Sequence, residues 1–315
     1  MFYSPVPMHI PDGFLSTLVA AILWVISIGV VAYALRQVGK DLGERQVPLM
    51  GVLAAAIFAG QMLNFSVTGG TSGHLLGAAI ATILLGPWAA VVVMTTVVSI
   101  QALIFQDGGL LALGGNLFNM AIIGVAVSYF VYTSIQKLAR GKTWGILVGG
   151  ALAAWFSIVI AALACALELA ASGISPANVA VPAMGGIHML IGLGEAGITV
   201  GALAFLYAAR RDLLHIGEAA LKGGAAVWTG GLVIAILLAV FSPLASAHPD
   251  GLEWVAEQKG FLEAAQEPLY NIIPDYVFPG ISNEALATIV AGIVGTLIVF
   301  SVAVGLVFWR RRKTA

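Results

Sequence analysis

Cysteine, histidine and charge are what this sequence has little of: one Cys, five His and 9% charged residues in 315 positions. The lone Cys165 lies inside an apolar stretch, so neither a disulfide framework nor a thiolate metal cluster can be built, and it reads as a small buried side chain. A net charge of -1 with no basic stripe gives no reason to expect a nucleic-acid partner. The opening residues, MFYSPVP, have neither a basic segment nor an apolar core, so no signal peptide is expected there. Against these shortages stands a 60% hydrophobic content. That is more apolar surface than one soluble core can bury, and lipid must be the solvent for most of it.

The apolar runs are continuous rather than alternating. Closed barrels are thereby excluded, and helices remain as the spanning structure that satisfies its own backbone in hydrocarbon. The expected fold class is all-α, a polytopic integral membrane protein. Roughly 20 apolar residues cross about 30 Å of hydrocarbon, and nine segments qualify, near 14–34, 48–66, 75–86, 88–105, 116–135, 144–171, 187–209, 224–245 and 286–309. The third is short, and Gly86-Pro87-Trp88 kinks or breaks it before the fourth. Lys and Arg stay on the cytoplasmic side during insertion. With the N-terminus outside and the C-terminus in the cytoplasm, thirteen of the fourteen Lys and Arg residues, including Arg45, Lys222 and Lys313, fall inside, and only Lys259 falls outside.

Two parts are expected: a seven-helix core over 8–215 and a helical hairpin over 222–315. The hairpin's outer loop, 246–285, is acidic, carrying Asp250, Glu253, Glu257, Glu263, Glu267, Asp275 and Glu284 against Lys259. It reads either as an interfacial cap or as a solvated charged run. Pro-Asp-Gly occurs at 11–13 and again at 249–251, an ordinary turn sequence rather than a repeat. The second helix carries Gly51, Ala55 and Ala59 at four-residue spacing, a stripe suited to internal packing or to docking on a partner helix.

Three histidines, His9, His74 and His188, stand at outer membrane boundaries in this topology, the last opening the seventh helix. His215 and His248 fall in loops and are not expected to bind metal. If Met8 is the first residue of the mature chain, Met8-His9 makes an unusual chelate. The terminal amine and the His9 amide nitrogen close a five-membered ring, and that amide with Nδ1 of the imidazole closes a six-membered one. A fourth nitrogen, most simply from His74, would complete a planar site of the kind that Ni(II) or Cu(II) prefers to Zn(II). The MFYSPVP segment is the difficulty, and a mature start at Met8 is the expected resolution.

His188 and Glu195 are seven residues apart and share a helix face, and an intramembrane carboxylate needs a partner. They are candidates for an orienting or gating role. Asn64, Gln101, Asp107, Asn116 and Asn119 are further candidates, able to orient a ligating imidazole or to bond between helices.

The segments MHIPDGFLS (8–16), TSGHLLGA (71–78), QALIFQDGGLLALGGNLFNM (101–120) and HMLIGLGEAG (188–197) resemble the CbiM/NikM family, the substrate-binding components of energy-coupling-factor transporters for nickel and cobalt. Pro249-Asp250-Gly251-Leu252-Glu253 resembles the PDGLE domain, a NikN/CbiN-like accessory unit. The resemblance implies metal binding through the terminal amine, the amide and imidazole of the second residue and a histidine corresponding to His74. It also implies Ni(II) or Co(II) as transported substrate, a membrane scaffold subunit and ATPase subunits as partners, a prokaryotic cell membrane as location and a link to cobalamin biosynthesis.

No bound nucleotide is expected in this chain. Gly141-Lys142-Thr143 looks like the tail of a phosphate-binding loop, but Gln136 stands where its first glycine would be and no strand precedes it. An enzyme is not expected: HExxH is absent. A stand-alone secondary transporter or channel would call for more intramembrane carboxylates than Glu168 and Glu195, and remains the alternative.

Overall fold

A computed structural model describes residues 8–41, 47–214 and 225–312. The MFYSPVP segment, Arg45, His215, Lys222 and Lys313 lie outside the described residues, as do the expected limits of the two parts, 215 and 222. The continuous apolar runs fold as helices. The chain passes through α1 (Thr17–Asp41), α2 (Val47–Gln61), a two-stranded hairpin of β1 (Phe65–Val67) and β2 (Thr71–Gly73), α3 (Ala78–Leu85) and α4 (Pro87–Ile100). Then come α5 (Leu113–Asn116), α6 (Gly124–Ala139), α7 (Thr143–Ala171), α8 (Ala177–Ala209), α9 (Ala225–Phe241), α10 (Gly251–Lys259) and α11 (Glu284–Arg312). Two π-helical stretches, Gln101–Phe105 after α4 and Leu117–Ile123 between α5 and α6, widen the backbone at places that prove to border the site.

The expectation of nine spanning segments needs correction. Among the described residues six helices are long and apolar enough to cross a bilayer, while Val47–Gln61 and Trp228–Leu244 are shorter apolar helices. The third expected segment is the furthest from a span. α3 has 8 residues, about 12 Å of helix against about 30 Å of hydrocarbon. Gly86 at φ +79° separates it from α4, and it is entered through the irregular run 74–77, which ends at Gly77 with φ +81°.

The seventh segment is longer than expected, because α8 starts at Ala177 and continues through Pro182. Pro182 and Gly185-Gly186 break helices in water, but a helix in hydrocarbon keeps its internal hydrogen bonds because the alternative is no partner at all. His188 therefore sits about three turns inside α8 and does not open it.

The small-residue stripe of α2 is occupied by this chain's own hairpin. A Cβ on Gly51 would meet Val304 at 2.5 Å and Phe300 at 2.9 Å, and Ala55 and Ala59 are completely buried. Gly295 of α11 gives the same close approach against Phe58. Of the two uses expected for Gly51, Ala55 and Ala59, the structure shows internal packing: glycine and alanine let α2, α9 and α11 approach closely and bury one another.

The outer loop is not a solvated run. Leu252, Val255, Phe261, Ile273 and Tyr276 are all buried. Phe261 meets Phe14 edge-on with ring centroids 5.3 Å apart, and Tyr276 stacks on Phe105 at 4.8 Å. These contacts hold the loop down on one end of the core as a cap.

Candidate metal site

The chain from Met8 to Asp12 is threaded through the loop before α5 and held there by reciprocal bonds. Asn116 accepts the Ile10 N–H at 3.0 Å and donates to the Ile10 carbonyl at 3.1 Å. Asp12 accepts the N–H groups of Leu110 (3.1 Å) and Ala112 (2.9 Å). The Gly109 N–H donates to the Ile10 carbonyl at 2.9 Å. Gly13, at φ +93°, makes the turn that lets buried Phe14 follow.

His9 is buried, 4% exposed. Its main-chain N–H donates to Asp107 Oδ1 at 3.2 Å, and its ring Nδ1 lies 3.0 Å from the same oxygen. Two nitrogens of one residue thus converge on one point. Burial alone would raise the Asp107 carboxyl, but the His9 imidazole, by charge and by hydrogen bond, and the Tyr276 hydroxyl outweigh it and hold Asp107 below the usual carboxylate range. Tyr276 donates to Asp107 Oδ2 at 2.6 Å and accepts from Gln101 Nε2 at 3.0 Å.

His74 stands edge-on to His9, with ring centroids 5.4 Å apart and planes at 87°. It leaves β2 into the irregular run toward α3, where backbone groups lack helical partners. Glu195, wholly buried in α8, supplies them, with Oε2 accepting the Leu76 N–H at 2.7 Å and Oε1 the Gly77 N–H at 3.0 Å. Gln61 donates to the Leu76 carbonyl at 3.0 Å. Irregular backbone at membrane depth persists only with such partners.

From the hairpin loop, Asp250 Oδ1 reaches His74 Nδ1 at 3.3 Å. Burial opposes charge on His74, but the Asp250 carboxylate, with smaller help from Asp107 and Glu195, holds its pKa above the ordinary histidine value. Asp250 is held down correspondingly, burial being outweighed by His74 and then His188.

These residues close around a cavity of about 80 Å3 whose lining includes Met8, His9, His74, Asn119, His188 and Asp250. Of the residues singled out in the sequence, Met8, His9 and His74 line this one cavity. Asp107 and Asn116 hold His9 and Ile10, Gln101 acts through Tyr276, and Glu195 braces the backbone after His74. His188 lines the cavity with Nδ1 against the Met184 carbonyl at 2.8 Å, and Asn119 lines it while donating to Glu168 Oε2 at 2.8 Å. Asn64 is not part of the lining; its carbonyl accepts the Ser246 N–H at 2.8 Å.

Sequence reasoning missed Asp12, Asp250 and Tyr276. The first two sit in the two Pro-Asp-Gly turns, whose recurrence was the one available signal. Among the described residues no three His, Cys, Asp or Glu side chains form a metal cluster.

The family model described as "Cobalt uptake substrate-specific transmembrane region" matches residues 9–213, and that of the PDGLE domain matches 225–312. A putative fused nickel transport protein NikMN of Archaeoglobus fulgidus is 39% identical over 314 residues, covering 98% of this chain and all of that one. A fused nickel transport protein NikMN of Rhodobacter capsulatus is 36% identical over 222 residues, 66% of this chain and 64% of that one. A crystal structure of a transition metal transporter superposes with a TM-score of 0.59 at 34% identity, over 68% of this chain and all of that one.

Proposed function

Because this chain belongs to the family of cobalt-uptake substrate-specific transmembrane regions, with a PDGLE domain following, we propose that it is the metal-binding membrane component of an ATP-driven, energy-coupling-factor importer of Ni(II) and/or Co(II). The chain is a multi-pass membrane protein, and its relatives are named as nickel and cobalt transport proteins. In this reading the metal is substrate, ATP is hydrolysed by separate ATPase subunits, a membrane scaffold subunit couples the two, and the location is the cell membrane of a prokaryote. Residues 8–215 form the binding core and 222–315 the accessory hairpin.

The observation that carries the reading is the convergence of the His9 amide nitrogen and Nδ1 on Asp107 Oδ1. A chelate formed by a chain beginning at Met8 needs those two nitrogens turned to the same side. They are so turned in the structure, with a carboxylate oxygen at the point they share. His74 supplies a further imidazole, its ring centroid 5.4 Å from that of His9, and a site of amine, deprotonated amide and two imidazole nitrogens is planar, which favours Ni(II). Entry of the metal displaces Asp107 Oδ1 from that point and releases the amide proton.

The test is Ni(II) and Co(II) titration of three purified proteins: a chain starting at Met8, one retaining MFYSPVP, and His74→Ala in the Met8 form. Tight binding of one metal by the Met8 form alone is expected. Equal binding by all three would place the site elsewhere. Uptake into vesicles by this chain without ATPase subunits would favour the stand-alone transporter.

A further inference from the structure

The hairpin loop does more than cover the cavity, and its Pro-Asp-Gly-Leu segment meets the core residue by residue. The Pro249 carbonyl accepts the Ser72 N–H at 2.8 Å and the Thr71 hydroxyl at 3.0 Å, and the His248 carbonyl accepts the Ser72 hydroxyl at 2.8 Å. Ser72 and Asp250 form an isolated parallel bridge, so the segment pairs with the edge of β2 at that one position. A Cβ on Gly251 would meet the His188 ring at 3.0 Å and Ile191 at 2.7 Å, and Leu252 is buried. Each of the four residues has a reason in the packing. The register they fix puts one side chain, that of Asp250, 5% exposed, onto His74 Nδ1.

An imidazole has two nitrogens, and the bond made by one sets which is left to bind metal. A ligating histidine commonly gives its other N–H to a carboxylate, which fixes the tautomer and the ring plane. We propose that Asp250 is a positioning residue for metal capture: it holds the Nδ1–H of His74, leaves Nε2 with its lone pair for the metal, and so makes the hairpin part of the binding site. The inference rests on His74 being a ligand. It differs from a general covering role because it assigns the effect to one carboxylate and one imidazole nitrogen, and the edge pairing at Ser72 and Thr71 serves to deliver that carboxylate.

The test uses the full chain carrying Asp250→Asn and Asp250→Glu beside the parent and His74→Ala. Uniform 15N-histidine labelling reads the tautomer of the His74 ring in the metal-free protein above the histidine titration range, the His74→Ala spectrum supplying the assignment. Metal titration and the dissociation rate read the consequence. The parent should show the Nδ1–H form of His74. Asp250→Asn should lose that preference, bind Ni(II) or Co(II) about 10- to 100-fold more weakly and keep its thermal midpoint within a few degrees. Asp250→Glu should recover part of the affinity. If Asp250→Asn leaves the tautomer and the affinity unchanged while His74→Ala abolishes binding, the positioning role is overturned and the chelate stands. If affinity falls only in step with the thermal midpoint while the tautomer is kept, the role is structural and the proposal is wrong. If His74→Ala binds like the parent, the chelate itself fails, a result distinguishable from either.

Discussion

Tyr276 donates its hydroxyl to Asp107 Oδ2 at 2.6 Å across 169 residues of sequence, while Asp107 Oδ1 faces both nitrogens of His9. The hairpin loop therefore reaches the two histidines by two routes, through Asp107 to His9 and through Asp250 to His74. Tyr276→Phe keeps the ring stacked on Phe105 but removes the hydroxyl, leaving Gln101 Nε2 and Asp107 Oδ2 buried without that partner. The expected cost to the metal-free protein is about 1–3 kcal/mol, read as a lowered thermal midpoint. An unchanged midpoint would mean that the loop is held by its apolar contacts alone.

The His74–Asp250 pair makes the docking of the loop depend on pH in a definite sense. Asp250 is depressed in the folded chain, burial being overcome by His74, so its contribution is present above its ordinary value of 3.8 and is lost as pH falls through the lowered value. His74 is raised, burial being overcome by Asp250, so its contribution is complete below 6.5 and is lost as pH rises through the raised value. The pair supports the metal-free loop most strongly between 3.8 and 6.5. Hydrogen exchange at the amides of residues 250–256 should be faster at about pH 8.5 than at about pH 5.5, after correction for the intrinsic pH dependence. Asp250→Asn should erase the difference.

Metal affinity should move the opposite way. The raised His74 keeps its proton to higher pH than free histidine, and the amide of His9 loses one only to metal, so binding releases protons and weakens as pH falls. The decline should begin above 6.5, the ordinary value for His74. Calorimetry in buffers of different ionisation enthalpy should count more than one proton released per metal, and a count of zero would exclude an amide ligand.

The predominantly helical membrane fold was legible because hydrocarbon leaves so few alternatives, and Met8, His9 and His74, which line one cavity, stood out because only five histidines exist and a Met-His start would have its own chelate chemistry. What the sequence hid depends on distance. Asp250 and Tyr276 are 176 and 169 residues from the groups they meet, and an acidic loop with few apolar runs looks solvated until its Leu252, Val255 and Phe261 are seen against the core. The eight-residue α3 and the late start assigned to α8 were misread for one reason. A hydropathy window counts apolar residues, but the broken backbone at Gly77 and Gly86 and the unbroken one at Pro182 are decided by which neighbours supply hydrogen bonds.

The α2 stripe separates internal packing from docking experimentally. Gly51→Leu places a side chain where Val304 and Phe300 already stand, and overpacking of this kind costs about 1–3 kcal/mol. The expected outcome is looser association of α11, seen as increased protease cleavage in the outer loop of the detergent-solubilised protein. Normal resistance, with failure only in assembly with other subunits, would restore the docking role.

Glu195 bonds to the backbone that follows His74 without bonding to the His74 ring. Both its oxygens accept main-chain N–H groups two and three residues after His74, so it sets the height and direction of that backbone where no helix or sheet does. Glu195→Gln is nearly isosteric, but its amide nitrogen faces one of those donors with another donor. The backbone from His74 to Gly77 must then shift or leave an N–H unbonded, at about 1–3 kcal/mol. The expected result is a Kd for Ni(II) raised about tenfold or more, with the His74 tautomer intact because Asp250 still holds Nδ1. Loss of the tautomer along with the affinity would mean that Glu195 and Asp250 act as one unit; unchanged affinity would mean that His74 is placed by the backbone pairing at Ser72 alone.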